Sequence, residues 1–281
     1  MYYKYVSLET SKLILKNKTL KITNPTTFND PFDCNFPGFT KNKTFITDKI
    51  DVILKKCIKS MGIHPPKEEY KRLRDDLISD APHFIHLMEE LIEGIRDDWD
   101  EIISHYRILC LTESQDNILM WSHYADQHNG VVLGFDFSHD KAFNKIQPVK
   151  YDKDDQSINQ YMDVFVSSMI NHVFKNEIEG RENELDEDLI TQIFVDGLSR
   201  FFFIKKYIWS YEKEHRLVVK DVPADINYMT FKSSSLKSVT FGVKIDLKDR
   251  ENYKKLALEM YPNLSFNQAS KLKGQLTIEC L

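Results

Sequence analysis

Apolar residues at the start of the chain recur with two different periods, and each period predicts a different element. The aromatic run Tyr2–Val6 indicates a short strand. After Ser7, apolar residues fall at helical spacing up to about Asn17, which predicts an amphipathic helix capped by Ser7. Residues 20–23 alternate apolar and polar side chains, as a half-buried strand does. A strand, a helix and a second strand should therefore open the chain.

Two long segments have the three- and four-residue apolar spacing that is typical of helices, at about residues 41–106 and 157–208. Apolar runs bounded by turn formers lie between and after them and predict strands. The predicted strands are residues 107–112, 131–135, 149–151, 214–219, 239–242 and 275–280, and the shorter predicted helices are residues 118–128 and 250–260.

Strands at both ends of the chain with helices between them predict the α+β class. We expect one domain over residues 1–281, built on small mixed β-sheets, with helical insertions at about 41–106 and 157–208. A chain of 281 residues is long enough to bury a core without disulfide or metal staples.

Composition narrows the class of protein. The 38 Lys and Arg against 43 Asp and Glu give a net charge of −5, which argues against nucleic acid as a general partner. The 9 Gly and 9 Pro exclude collagen-like and heavily disordered chains. We find no signal-peptide pattern and no apolar run of about 18 residues, so we expect no membrane association. The four scattered cysteines favour a cytoplasmic protein with reduced thiols.

A loop at residues 28–33, with the sequence FNDPFD, is the first segment that could carry chemistry. Its short polar side chains can cap the backbone nearby, which would make it a purely structural turn. Alternatively, the loop is a rigid rim that presents Asn29 and Asp30 to a polar ligand. The sequence leaves both interpretations open.

The second segment is the aromatic helix that contains Trp121, Ser122, His123 and Tyr124. Trp and Tyr suit either the edge of a core or a stacking platform for a ligand. His123 lies five residues before His128, a poor fit to the four-residue spacing with which two helical histidines hold one metal ion. We therefore predict no metal site here.

The third segment contains Glu212, Glu214 and Arg216 at the start of a predicted strand. Alternation along a strand places Glu214 and Arg216 on one face, where they could form a structural ion pair. A glutamate at the start of a strand in an aromatic cleft could instead orient a ribose hydroxyl or stabilise a cation. Phosphate-binding glycine motifs and the GxSxG motif of serine hydrolases are absent from the sequence.

These segments together resemble a bacterial family known only as a domain of unknown function, family 2971. The resemblance extends from the first predicted strand to the last, and it identifies a family without an activity. It is carried by residues 3–5, 28–33, 119–125, 130–135 and 211–217.

The order of elements is also similar, more distantly, to that of ADP-ribosyltransferases, which bind NAD in a cleft between two small sheets. The resemblance implies a split β-core, with Tyr3 or Tyr5 on the first strand, Tyr124 as the central aromatic residue, and Glu212 and Glu214 as the late glutamates. Here the first strand carries tyrosines where those enzymes carry histidine or arginine.

The mechanism implied by the second resemblance uses NAD as a co-substrate. Nicotinamide would stack on an aromatic ring while Glu214 stabilises an oxocarbenium-like ribose and Glu212 steers the acceptor. Catalytic roles would fall to Glu214, Glu212 and Tyr124. The residues expected to bind the nucleotide are Tyr3, Tyr5, Asn29, Asp30, Trp121, Ser122 and His123.

Three functions from different classes follow as hypotheses. The first is an NAD-dependent ADP-ribosyltransferase or NAD glycohydrolase of toxin or phage-defence type, acting on an unidentified macromolecular acceptor or on the nucleotide alone. The second is a metal-dependent nucleic-acid enzyme that uses Asp30, Asp33 and Glu214. The third is a non-enzymatic ligand sensor or interaction module, in which Glu214 and Arg216 form a buried pair without a cleft beside them.

Overall fold

The computed structural model describes residues 1–36, 44–153, 167–168, 171–172 and 199–281. The helices used below are α1 (Leu8–Asn17), α2 (Thr44–Met61), α3 (Lys67–Asp97), α4 (Trp99–Ser104), α5 (Ile118–Tyr124) and α6 (Leu247–Met260). The strands are β1 (Tyr2–Val6), β2 (Thr19–Lys21), β3 (Arg107–Thr112), β4 (Val131–Phe135), β5 (Gln147–Pro148), β6 (Lys150–Asp152), β7 (Ile204–Lys206), β8 (Glu214–Val219), β9 (Tyr228–Thr230), β10 (Leu236–Phe241), β11 (Ser265–Leu272) and β12 (Gln275–Cys280).

Eight of these strands form one sheet in the order β12-β11-β10-β4-β1-β3-β8-β5. Neighbouring strands run antiparallel, except that β10 and β11 run parallel and are connected through α6. Two further two-stranded sheets pair β2 with β9 and β6 with β7. The predicted α+β class with mixed sheets is therefore confirmed, whereas the ADP-ribosyltransferase core is not confirmed.

A seam runs through the large sheet between β1 and β3. Strand β1 pairs with β4 along its whole length, but the register joins it to β3 at the single pair Tyr3 and Thr112. At the other end of β3, Ile108 pairs instead with Thr23. Between these points the Lys4 ammonium donates to the carbonyl of Cys110 at 2.8 Å. A side chain thus satisfies a strand carbonyl where the two strands have diverged.

The main core lies where α1 and α6 pack on the sheet. Ser7 begins α1 by accepting a hydrogen bond from the Thr10 amide, and Lys18 ends the helix in the left-handed conformation. The helix buries Ile14 and Leu15 on its inner face, as the amphipathic pattern predicts. The main core also contains Leu20, Leu109, Val131, Leu133, Phe135, Leu217, Val239, Phe241, Tyr253, Ala257 and Phe266.

A second cluster of buried side chains surrounds α5 and contains Tyr5, Met120, Trp121, Val132 and Ala269. It packs next to Tyr3, Tyr124 and Tyr211, which remain partly buried. This smaller cluster therefore fixes α5 beside β1, and α5 carries the aromatic motif of the sequence.

The helix predicted for residues 118–128 is shorter than its pattern indicates, because α5 ends at Tyr124. The next turn has φ values of 48°, 51° and 74° at Asp126, Gln127 and His128, and left-handed backbone of this kind does not continue a right-handed helix. The reversal brings Gly130 against β1, where a Cβ would lie 2.3 Å from the carbonyl oxygen of Val6.

The helical segment predicted for residues 157–208 lies mostly outside the described residues. Where its end is described, the prediction is wrong, because residues 204–206 form β7 and pair with β6. The apolar residues at the end of the predicted helix instead belong to this short strand and to the 3-10 turns on either side of it, Ser199–Phe203 and Tyr207–Glu212.

The chain divides into two units. Unit 1 contains Met1–Asp33, Ile102–Lys153 and Lys205–Leu281, and unit 2 contains Cys34–Glu101 and Asp154–Ile204. Unit 2 includes α2 and α3 and covers most of the two predicted insertions. The expectation of one domain over residues 1–281 stays a prediction. Among the helices that the structure describes, none has the length and apolar character needed to cross a membrane.

Candidate active site

An open pocket of about 110 Å³ lies at the seam between β1 and β3, and all of its lining residues belong to unit 1. One part of the wall is aromatic, and another contains carboxylates and ammonium groups. The lining consists of Tyr3, Lys4, Tyr5, Phe28, Asn29, Asp33, Cys110, Leu111, Thr112, Met120, Tyr124, Lys205, Glu212 and Glu214.

Local backbone geometry brings Glu212 and Glu214 to this pocket. Glu212 ends the 3-10 turn Tyr207–Glu212, and the left-handed residue Lys213, with φ 45°, leads into β8 at Glu214. The hydroxyl of Thr112 donates to the carbonyl of Glu212 at 2.5 Å. Asn117, the cap of α5, donates to the carbonyl of Tyr211 at 2.8 Å. The glutamate segment is thus attached to both β3 and α5.

The polar wall of the pocket belongs to a buried charge cluster of three carboxylates and two cations. The Lys205 ammonium lies 2.6 Å from Glu212, 3.2 Å from Glu214 and 3.4 Å from Asp33. The fully buried guanidinium of Arg216 donates to both oxygens of Asp33, at 3.0 and 2.5 Å, and to Glu214 at 2.8 and 3.0 Å. These hydrogen bonds compensate charges that burial alone would strongly disfavour.

The pKa values of the two glutamates shift in opposite directions. Burial alone would raise the pKa of Glu214, but the charges and hydrogen bonds of Arg216 and Lys205 outweigh it and lower the value from 4.5 to about 2. For Glu212, burial dominates over the attraction of Lys205 and raises the pKa. The two environments therefore differ: cationic partners favour the ionised form of Glu214, whereas burial favours the protonated form of Glu212.

Hydrogen bonding separates the two carboxylates further. A carboxylate has about four lone-pair sites. Each oxygen of Glu214 accepts a hydrogen bond from Arg216, and Lys205 and the Cys110 thiol are further donors. One oxygen of Glu212 accepts a hydrogen bond from Tyr124 at 2.7 Å, and the other accepts one from Lys205. Glu212 therefore keeps acceptor capacity for a ligand, whereas Glu214 is close to saturated.

Tyr124 connects the aromatic wall to this carboxylate. Its hydroxyl donates to Glu212, and its ring lines the pocket from α5. Burial, followed by the negative charge of Glu212, raises the pKa of Tyr124, while a hydrogen bond with Asn29 acts in the opposite direction. Tyr124 is therefore a hydrogen-bond donor at neutral pH, and Asn29 links it to the FNDPFD loop.

Six of the residues expected at the site from sequence line the pocket together: Tyr3, Tyr5, Asn29, Tyr124, Glu212 and Glu214. The roles assigned to them stay predictions.

The structure places the other four predicted site residues away from the pocket lining. Asp30 caps the turn by accepting from the amide of Phe32, which is the structural interpretation of the FNDPFD loop. Trp121 is fully buried in the smaller core cluster. Ser122 hydrogen-bonds within its own helix, to the carbonyl of Ile118, and His123 is exposed. A helix turns about 100° per residue, so Tyr124 and its two preceding neighbours face different sides.

Lys205 is the main residue of the site that sequence reasoning missed. The sequence signal is not specific, because Lys205 and Lys206 together interrupt the apolar and aromatic run of residues 201–209, and only Lys205 is buried. Lysine in such surroundings is buried only when it is paired. The carboxylates that pair with it come from positions 33, 212 and 214, so the sequence by itself does not identify them.

Acid should destabilise the protein through Glu214. Because its folded pKa of about 2 lies below the ordinary 4.5, ionised Glu214 contributes stability above pH 4.5 that is lost as the pH falls towards 2. The expected loss from this group is on the order of 3 kcal/mol. Glu212 acts in the opposite sense, since a raised carboxyl pKa gives stability that is lost as the pH rises, and it offsets part of the change.

Urea unfolding at a series of pH values between 6 and 2 measures this dependence, with Glu214→Gln as the comparison. The variant should be less stable at pH 6 and should show a flatter decline towards acid. An equally steep decline in the variant would assign the acid sensitivity to other carboxylates.

Comparison with known proteins bears on part of this region. Residues 120–217 match the family model described as "Protein of unknown function (DUF2971)". The match confirms the first resemblance over the segment from Met120 on α5 to Leu217 on β8, which contains Tyr124, Glu212 and Glu214. No curated protein and no solved structure matches the chain, and the resemblance to ADP-ribosyltransferases is not confirmed.

Proposed function

We propose that the pocket cleaves the N-glycosidic bond of NAD, as an NAD glycohydrolase or ADP-ribosyltransferase, with Glu212 as the catalytic carboxylate. The observation that carries the proposal is the contrast between the two glutamates. Both glutamates line the pocket and contact Lys205, but Glu212 has acceptor capacity left and a raised pKa, while both oxygens of Glu214 accept from Arg216. The main role that the resemblance implied for Glu214 is therefore given to Glu212, and Glu214 becomes a positioning residue.

The lining of the pocket suits the nicotinamide end of NAD. Tyr3, Tyr5, Phe28 and Tyr124 supply aromatic surface for a flat, positively charged pyridinium ring. Tyr5 is held in place, since its hydroxyl donates to the carbonyl of Ser114 at 3.0 Å and accepts from the amide of Asn117. A ring that is already fixed loses little entropy when a ligand stacks on it.

The chemistry requires one proton acceptor and no acid for the leaving group. Glu212 takes a proton from water, or from an acceptor hydroxyl, as that oxygen forms its bond to C1′ of the ribose. The bond between C1′ and the pyridinium nitrogen breaks, and nicotinamide leaves as a neutral ring with the electron pair. A carboxyl group with a raised pKa is better matched to this proton transfer near neutral pH.

The geometry gives less support to the two other hypotheses, a metal-dependent nucleic-acid enzyme and a non-enzymatic sensor module. Among the described residues, no group of three or more His, Cys, Asp or Glu side chains is arranged to hold a metal ion. Of the carboxylates named for a nuclease, Asp33 and Glu214 are bound by Arg216, and Asp30 caps a turn. Glu214 and Arg216 do form the buried pair expected of a sensor module, but an open pocket lies directly beside Glu214.

Replacing Glu212 by glutamine should reduce nicotinamide release from NAD by at least about 100-fold, the size of effect that loss of a general base produces. Glutamine has nearly the same volume as glutamate, and Lys205 keeps Glu214 and Asp33 as partners, so the fold should persist. The measurement is chromatography of nicotinamide released by the purified variant and wild-type proteins, with circular dichroism to confirm that both are folded.

Glu259→Gln is the matched control, because Glu259 is an exposed glutamate on α6 and lies outside the pocket lining. It should release nicotinamide at the wild-type rate. Equal rates in the Glu212→Gln and wild-type proteins would exclude Glu212 as the base, and no release by the wild type, with or without cell lysate as a source of acceptors, would overturn the proposed function.

The proposal also includes an acceptor, a biological role and a cellular location. The distant resemblance implies a macromolecular acceptor and a toxin or phage-defence role, and the cysteine usage favours a cytoplasmic site of action. Labelled NAD, incubated with the protein and cell lysate, tests for an acceptor: transfer of label to protein or nucleic acid indicates a transferase, and free ADP-ribose indicates a glycohydrolase.

A further inference from the structure

The size of the pocket limits how much of a nucleotide it can enclose. Its volume is about 110 Å³. An apolar cavity of about 150 Å³ admits one benzene ring, while pockets that enclose whole drug-sized ligands measure roughly 300–1,000 Å³. The pocket is smaller than either, so it encloses at most one ring, and the rest of a larger ligand must extend through its open side.

Both lysines of the pocket lining have partners within the protein. Lys205 lies between three carboxylates, and the ammonium of Lys4 donates one hydrogen bond to the carbonyl of Cys110 across the seam. Pyrophosphate is commonly held by such cations or by the free amides at the start of a helix. Here the first amides of α5, those of Leu119 and Met120, are capped by the side chain of Asn117.

From these contacts we infer that the substrate class is the N-ribosyl pyridinium compounds, recognised through the ring and the ribose, with little contribution from the pyrophosphate and adenosine of NAD. The inference rests on the proposed function and makes it more specific. The described lining offers aromatic rings for the pyridinium group and Glu212 for the ribose, and both of its lysines have partners within the protein. Nicotinamide riboside and nicotinamide mononucleotide should therefore be substrates in their own right.

The comparison of three substrates tests the inference. Nicotinamide release by the wild-type protein is measured for NAD, nicotinamide mononucleotide and nicotinamide riboside, and kcat/KM is obtained for each. We expect the three values to agree within about tenfold, because enzymes that use binding energy from a remote part of the substrate lose far more when that part is removed.

Each outcome has a separate meaning. Release from NAD with a riboside value lower by more than about 100-fold would overturn the inference and leave the proposed function standing. Release from the riboside but not from NAD would support the inference and exclude the dinucleotide as substrate. Release from none of the three would overturn both.

Lys4→Gln gives a second, independent readout. If Lys4 contacts no phosphate, the variant should change kcat/KM by the same factor for all three compounds. A selective loss with NAD and the mononucleotide, relative to the riboside, would show that Lys4 binds a phosphate and would overturn the inference. Should the variant fail to fold, the comparison of substrates with the wild-type protein still decides.

Discussion

Arg216→Met should lower the free energy of unfolding by about 3–5 kcal/mol, the range found when one partner of a buried ion pair is removed. The side chain of Arg216 is 0% exposed and donates two hydrogen bonds to Asp33 and two to Glu214. Methionine fills much of the volume but leaves Lys205 as the cation shared by three buried carboxylates. Urea unfolding near neutral pH measures the loss.

Arg250→Met provides the matched comparison within unit 1. Arg250 on α6 pairs with the exposed Glu251 and donates to the neutral side chain of Gln268, and an ion pair with an exposed carboxylate contributes about 1 kcal/mol or less. A similar small loss for Arg216→Met would show that the buried cluster compensates its charges without the guanidinium. A large loss would explain why β8, which begins at Glu214, also carries an arginine two residues further on.

Trp121→Ala should cost about 3–5 kcal/mol of stability, as expected when a large aromatic side chain is removed from a core. The indole is fully buried, packs edge-on against Tyr5 at 5.4 Å and donates to the carbonyl of Gln115 at 3.0 Å. Its removal leaves a cavity beside β1 and an unsatisfied carbonyl. Thermal or urea unfolding of the purified variant measures the effect.

Tyr228→Ala is the control for this substitution, because Tyr228 is an aromatic residue on β9 that is 62% exposed. It should change stability by about 1 kcal/mol or less. An equally small effect of Trp121→Ala would contradict its core role and would favour the stacking platform that the sequence left open.

The candidate site could be predicted from sequence only as far as residue types and local spacing carry the information. Glu212 and Glu214 are two residues apart, and Tyr124 lies in an aromatic helix beside a strand, so each was recognisable. The opposite shifts of the two glutamate pKa values were not. They depend on burial, on Arg216 for Glu214, and on the charge of Lys205, which approaches from a separate segment.

Trp121, Ser122 and His123 were predicted as site residues from sequence, but they do not line the pocket. Their residue types are as suitable for ligand binding as that of Tyr124, and a sequence motif does not say which side of a short helix faces a pocket. The packing of α5 on β1 decides it: Trp121 enters the core, His123 faces solvent and Tyr124 reaches Glu212.

The sequence by itself determined the elements whose apolar pattern is strong and local. Strands β1, β3, β4, β8 and β12 have the predicted bounds, because short apolar runs and apolar–polar alternation are local features of the sequence. Tertiary structure alone decided where those elements meet. The mostly polar β11 forms a strand because it pairs with β10 and β12. Residues 204–206, which have a helical pattern, form a strand because they pair with β6. The seam that opens the pocket also exists only between strands about 100 residues apart in sequence, since strand pairing is a long-range interaction that no local pattern encodes.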